Sequence, residues 1–484
     1  MPDIALRSAQ GRWVVLAATL GSAMALLDGT VVNVALRPLG EDLGAALADL
    51  QWVVNAYMLT LASLILVGGS LGDRLGRRRV FLVGVAWFAA ASLACGLAQS
   101  TGQLIVARGV QGVGGALLTP GSLAMIQGTI AVHDRARAIG VWSAWSGVAA
   151  AVGPLLGGWI VDTITWRWVF LINVPVAAVV VVLGLRHVPE SGGLPRAARP
   201  PFDVGGAALA VVALGGITYA LIQGGWVPAG VGGAALAAFL AVEHRGRNPM
   251  LPLHLFADRT FSVVNLMTFV VYGALGAVMF FLVLQLQVVG GFTPLQAGLA
   301  TLPFTVLMLA FSPRVGALMA RTGPRPLLAG GPALAAAGAA LLTGVSGGVS
   351  YAADVLPGVV VFGVGITLMV TPLTATVLAA LPDAQAGIAS GVNNAVARAG
   401  SLLAVAALPA VVGLSGADYA DPAVFDGGYR AAMWWCAALL LAGAVVAGAL
   451  LPSRRAAGGG APRTPPRPDG GAPRTPPRPG GRGT

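Results

Sequence analysis

Lysine is absent from this chain of 484 residues, and all 29 basic residues are arginine. A Walker A nucleotide site needs a lysine against the phosphates, and a Schiff-base enzyme needs a lysine amine. Both are excluded, and with them ATP hydrolysis of the P-loop type. Cysteine is nearly absent. Cys95 and Cys436, the only 2, lie far apart within apolar runs, so neither a disulfide framework nor a zinc site is indicated. Charge is scarce as well: 10% of the residues are charged, against roughly a quarter in soluble domains. Much of this chain cannot face water.

What fills the chain is apolar. Hydrophobic residues make up 56% of it and recur in continuous runs, many of about twenty residues, enough to cross a hydrocarbon core of about 30 Å as a helix. The runs do not alternate, which excludes a β-barrel. Many of the 69 glycines fall inside them, where small residues let membrane helices approach closely. Fourteen spans are predicted near 13–36, 51–70, 80–98, 103–130, 138–161, 167–186, 204–222, 228–243, 261–287, 295–318, 327–346, 354–378, 386–412 and 430–451. The first is too long for a signal-peptide core and reads as a membrane helix.

Arginine placement orients these spans. With an intracellular amino terminus, 23 arginines fall on inside segments and three (Arg37, Arg167 and Arg430) on outside loops or their edges. Arg108, Arg314 and Arg398 lie within spans. The net charge of +11 is then an inner-leaflet bias and not a nucleic-acid signal. Both termini are expected in the cytoplasm. The tail, 452–484, repeats an eleven-residue Pro/Arg/Gly unit from Gly460 and from Gly471. Its proline density forbids helix, and disorder is expected.

A duplication organises the rest. Gly69 to Arg78 matches Gly316 to Arg325 as G-x-L-x-x-R-x-G-x-R, an offset of 247, and Gly140 and Gly153 find Gly387 and Gly400 at the same offset. The expected architecture is an all-α polytopic membrane protein: a segment 1–12, a six-helix half 13–186, two inserted helices 204–243, and a second six-helix half 261–451. Parallel six-helix repeats around a central site suit alternating access by rocking.

The motifs resemble those of the major facilitator superfamily, in particular its fourteen-span drug/proton antiporter branch (EmrB/QacA-like). They are Leu27-Asp-Gly-Thr-Val-Val-Asn-Val-Ala-Leu36 in span 1, Gln51-Trp-Val-Val-Asn-Ala-Tyr57 opening span 2, and the loop Gly69 to Arg79. Arg108-Gly-Val-Gln-Gly-Val-Gly114 in span 4, Gly153-Pro-Leu-Leu-Gly-Gly158 in span 5, Trp166-Arg-Trp-Val-Phe-Leu-Ile-Asn-Val-Pro175 and Asn248-Pro-Met-Leu-Pro-Leu253 follow in order. Three positions depart from the branch pattern: Arg37 before Pro38, Ala149 in place of a glycine, and Ala320 in place of the second loop's aspartate.

Asp28 is the only carboxylate deep inside a span, so it should face a partner or a watery cavity. It reads as a coupling carboxylate, or else as a structural acid paired with Asn33 or Arg108. Asp28 and Arg108 lie at similar depth, roughly 13 Å and 9 Å from the outer ends of their spans at helical rise. Arg108 is either the partner of a proton relay or a snorkelling cation. For the loop, the resemblance implies a conformational latch towards span 11 built from Gly69, Asp73, Arg74, Gly76 and Arg78, whereas Arg77 and Arg79 read as plain positive-inside topology. It also implies an antiport helix at Gly153, Pro154, Gly157 and Gly158. Arg314 is expected to snorkel.

The expected function is proton-coupled multidrug efflux of lipophilic organic compounds by alternating access, without enzymatic activity, cofactor or metal. Its cavity would hold Asn33, Asn55, Tyr57, Trp142, Trp145, Asn393 and Arg398. Partners are a small organic substrate, protons and the bilayer, with no nucleic acid and no ATP, and the chain is expected to be a monomer. A narrow-substrate antibiotic or metabolite exporter of the same fold is the alternative. A non-transporting sensor or scaffold is another, which truncation after Pro452 would abolish. With one deep carboxylate, monocation or neutral export is expected over dication export.

Overall fold

In the computed structural model the described residues are 4–192, 203–246, 249–382, 385–416 and 418–451. Asn248, Arg196, Arg199 and the repeat tail lie outside them. The described residues hold fourteen long helices: α1 (Ala9–Leu43), α2 (Leu47–Leu75), α3 (Arg77–Gly96), α4 (Thr101–Thr129), α5 (Val132–Thr163), α6 (Trp168–His187), α7 (Val204–Gln223), α8 (Trp226–Arg245), α9 (Arg259–Val288), α10 (Pro294–Thr322), α11 (Pro324–Leu342), α12 (Leu356–Ala379), α13 (Ala386–Val411) and α14 (Pro422–Leu450). Thirteen are long and apolar enough to cross a membrane. The fourteenth, α4, has 29 residues, ample for crossing, and its glycines, glutamines and Arg108 make it less apolar.

Helix ends follow local chemistry. Ser8, Ser100, Asp203, Asp258 and Asp421 accept backbone N–H groups at the starts of α1, α4, α7, α9 and α14, relieving donors that lack an intrahelical partner. Thr293 and Gln296 form a capping box on α10, with Pro294 in its first turn. Several helices outrun the predicted spans. α1 continues past Leu36 through Pro38 to Leu43, because hydropathy detects the apolar run and not the polar turns that extend it.

The packing repeats as the duplication predicts. In the first half α1 packs on α5 and α6, α2 on α4, and α3 on α4 and α6. Adding eight to each label gives the second half: α9 on α13 and α14, α10 on α12, and α11 on α12 and α14. The halves meet through α5 with α10 and through α2 with α13, again a related pair. The inserted α7 and α8 pack on each other, and α7 lies against α2 and α13.

Hydrogen bonds between the halves gather at the face where α1 ends. Gln287 donates to Val34 O at 3.0 Å, and Arg37 donates to Gln287 O. Gln51 donates to Val405 O at 2.8 Å and Ala406 O at 3.1 Å. The Tyr419 hydroxyl donates to Ala45 O at 2.6 Å, and Leu47 N to Gly416 O at 2.9 Å. Glycines close the same end of the α5/α10 crossing: a Cβ on Gly298 would lie 2.3 Å from Pro154 O, and one on Gly158 would lie 2.6 Å from Leu295 Cα. Exposed apolar residues run the length of both helices, Trp145 and Trp159 on α5 and Leu299 and Phe311 on α10, whereas the hydrogen bonds between the halves lie at the one end. The bundle is sealed at one face.

Candidate functional site

Asp28 lies midway along α1, and Arg108 lies two turns into α4. The two side chains form an ion pair of 2.5 Å, with exposures of 0% and 2%. Three further helices complete the surround. Arg108 Nε donates to Val53 O on α2 at 3.0 Å, and Nη1 also donates to Gln111 Oε1 at 2.6 Å. Gln111 Nε2 donates to Asp28 Oδ1 at 2.8 Å and to Ser92 Oγ on α3 at 3.0 Å. Asn173 of α6 donates to the same two oxygens, at 3.3 Å and 2.9 Å, and Ser92 in turn donates to Phe170 O at 3.0 Å. The Tyr57 ring lies 4.3 Å from the guanidinium carbon of Arg108, a cation–π contact.

Local sequence explains the placement of Asn173. Pro175 lacks an N–H, so the carbonyl of Leu171 loses its helical donor, and α6 breaks at Ile172. Asn173 begins the continued helix with its amide turned to Asp28. Gly112 makes room on α4: a Cβ there would lie 2.1 Å from Thr60 Oγ1 and 2.4 Å from Tyr57 O. A buried charge is costly unless paired and hydrogen-bonded; here Asp28 accepts from three side chains. The expected pairing with Arg108 is formed. No hydrogen bond joins Asp28 to Asn33. Gln111, Ser92 and Asn173 were missed, although the i, i+3 spacing of Arg108 and Gln111 put both on one face of α4.

The expected cavity residues scatter. Asn55 is fully buried with neither amide atom partnered. Tyr57 is 1% exposed and serves the ion pair, its hydroxyl reaching Ala25 O at 3.4 Å. Trp142 donates to Ser22 Oγ at 3.0 Å, tying α5 to α1. Trp145 is exposed, and Asn33 is half-buried. Asn393 donates to Thr268 Oγ1 at 2.8 Å and Asn265 Oδ1 at 3.2 Å, tying α13 to α9. Arg398 is half-buried near the middle of α13. Arg314 is exposed and donates to Ala310 O at 3.0 Å.

At the loop the structure redistributes the roles. Asp73 accepts from Arg77 Nη2 at 2.9 Å, and Arg77 Nη1 donates to Ala124 O of α4 at 3.0 Å. Arg77 therefore ties α2, α3 and α4 together, which corrects its reading as plain topology. Gly76 has φ +109, and a Cβ on it would lie 2.7 Å from the Glu190 carboxylate. Glu190 accepts from Arg78 N at 3.0 Å and Arg79 N at 3.3 Å, at the start of α3, where an acid suits the helix dipole. Arg78 also donates to Val188 O at 3.0 Å. Asp73, Arg77, Arg78 and Arg79 thus bind within the first half, with Asp73 still largely exposed. At Gly69 an added Cβ would lie 3.8 Å from Pro120, an ordinary contact. On α5, Gly153 and Gly157 lie against Thr30 and Val31 of α1, while Pro154 and Gly158 form the α10 crossing.

Residues 18–405 match the profile described as Major Facilitator Superfamily. The chain belongs to that superfamily. It is a multi-pass cell-membrane transporter and not an enzyme. Among its relatives, the multidrug resistance protein Stp of Mycobacterium tuberculosis is 37% identical over 82% of this chain and 75% of Stp. The puromycin resistance protein pur8 of Streptomyces alboniger is 38% identical over 83% of this chain and 82% of pur8. The tetracenomycin C resistance and export protein of Streptomyces glaucescens is 35% identical over 81% of this chain and 74% of its own. In fold the transporter is similar to a D-xylose–proton symporter, with a TM-score of 0.65 at 15% identity over 92% and 99% of the two chains. An inward-facing bacterial homologue of the lysosomal transporter Spinster gives a TM-score of 0.64 at 18% identity over 91% and 97%.

Proposed function

We propose that this transporter is a proton-coupled exporter of lipophilic organic compounds, with Asp28 as its coupling carboxylate and Arg108 as the switchable partner. One observation carries the reading: a lone deep carboxylate, buried and paired, in a bundle sealed at one face. With an intracellular amino terminus, the sealed face is the outer one and the state is inward-facing. In that state Arg108 is paired with Asp28. On opening outward, rocking of the halves would part the pair and let Asp28 take a proton from outside. With Asp28 protonated the emptied carrier would return inward, where the pair re-forms and the proton leaves to the inside, linking proton entry to substrate exit. Substrate enters from the cytoplasmic side between the halves. Gly153, Pro154, Gly157 and Gly158 form the outer gate, and Gly69, Asp73, Arg74, Gly76 and Arg78 steady the inner face when it closes. The halves are 13–186 and 261–451, with 204–243 as the inserted pair between them and the tail, 452–484, in the cytoplasm. The chain works as a monomer on a small substrate and protons, with neither ATP nor nucleic acid.

The test is substrate-evoked proton movement in proteoliposomes. The wild type should release protons on substrate addition, and Asp28→Asn should not; release that persists in Asp28→Asn sinks the coupling role. A narrower reading has its own support, because two relatives take their names from single antibiotics, puromycin and tetracenomycin C. Susceptibility profiling of a deletion strain separates the two: broad sensitisation supports multidrug efflux, and sensitisation to one compound supports a dedicated exporter.

A further inference from the structure

Arg398 is an intramembrane charge to which the coupling scheme gives no task. It lies near the middle of the 26-residue α13, roughly 18–20 Å from either end at helical rise. An ionised side chain at that depth is expensive and by default marks a function. Three other helix arginines show the usual remedy: Arg108 has Asp28, Arg325 has Gly448 O, and Arg430 has Asp426. Among the described residues Arg398 makes no hydrogen bond or ion pair, and its Nε is buried without a partner.

Its surroundings point to the seam between the halves and not to lipid. α13 packs against α9 of its own half and α2 of the other. Arg398 is within electrostatic reach of Tyr272 on α9 and Tyr57 on α2. The antiparallel α2/α13 register is set by Gln51 against Val405 and Leu66 against Gly391, which places Asn55 about one turn from the level of Arg398. Asn55 is 0% exposed with both amide atoms unpartnered. Asn394, one turn before Arg398 on the same face, is exposed. The remaining acids of the described helices, such as Asp42, Asp162, Glu243 and Asp426, sit towards helix ends. Asp28 is already neutralised by Arg108, so the centre keeps a surplus positive charge.

We propose that Arg398, with Asn55 and Asn394 beside it, is an anion-recognition site, and that the transported compound carries an acidic group on a lipophilic body. The group would be a sulfonate, a carboxylate or an ionised phenol, accepting from the guanidinium in the inward-facing state. This departs from the expectation of monocation or neutral export, because Asp28, the acid that would have received a cation, is paired with Arg108. The assignment rests on the export reading, but its test does not require coupling.

Equilibrium dye binding to the purified full-length chain tests it, using two dyes of one skeleton. 8-Anilinonaphthalene-1-sulfonate carries an anion, and N-phenyl-1-naphthylamine is neutral; ethidium serves as the cation. The wild type should bind the sulfonate more tightly than the amine. Arg398→Gln should weaken the sulfonate by about tenfold or more, the range of a hydrogen-bonded charge, and leave the amine within about twofold. Arg398→Lys should retain part of the preference, and carries the comparison if the Gln variant fails to fold. A wild type with no anion preference, equal losses for both dyes in Arg398→Gln, or ethidium as the tightest ligand would each overturn the proposal. Proton release that persists in Asp28→Asn would defeat the coupling reading and leave the dye result untouched.

Discussion

At the scale of residues, the ion pair of Asp28 and Arg108 is best read through its costs. Removing one partner strands a buried charge and typically costs about 3–5 kcal/mol. Arg108→Ala should therefore lower the yield of folded protein and its melting temperature sharply. The double variant Asp28→Asn/Arg108→Gln has no stranded charge, so it should regain most of that stability and still show no substrate-evoked proton release. A double variant that couples normally would show that the pair is structural only. Asn173→Ala removes a donor from Asp28 and from Ser92, and should cost about 1–2 kcal/mol, read as a lowered melting temperature with the fold intact. The depth of Asp28 and Arg108 was legible in the sequence, because helical rise converts residue number directly into depth. Ser92 and Asn173 were not, because rotation about a helix axis and the choice of neighbouring helix are invisible to a hydropathy profile.

Among the elements, the α5/α10 crossing is the sharpest case. A Cβ on Gly298 meets a backbone oxygen that cannot yield, so Gly298→Val should force the sealed end apart. A cysteine at Leu156, half-buried there, should then react faster with a membrane-impermeant maleimide applied from outside; an unchanged rate would mean that the crossing is not the gate. The turn between α2 and α3 makes a second case. Gly76 has a positive φ, and an added methyl group would displace the Glu190 carboxylate, so Gly76→Ala should cost more than about 1 kcal/mol, visible as a lower melting temperature. The glycine-rich run of α5 was readable as a packing surface, yet its two partners were not. Gly153 and Gly157 serve α1, while Pro154 and Gly158 serve α10, a division set by which face each helix presents.

For the whole molecule, rocking predicts that joining the halves at the sealed face arrests transport. Tyr419 and Ala45 are in contact across that face. With Cys95 and Cys436 replaced by serine, Ala45→Cys/Tyr419→Cys should be bridged by a short bis-maleimide and lose substrate transport, while either single variant keeps it. Transport that survives bridging would rule out opening at this face.

The sequence by itself determined the fourteen helices, their caps, the arginine asymmetry and the duplicated halves. Lipid offers no hydrogen bonds, so each segment must satisfy its backbone internally, and that makes local sequence decisive. Only the tertiary structure decided which side chains surround Asp28, which face is sealed, and that Arg398 stands without an acid. Helices already in lipid gain no hydrophobic drive from meeting. Their arrangement therefore turns on close glycine contacts and a few buried polar pairs, brought together from distant parts of the chain.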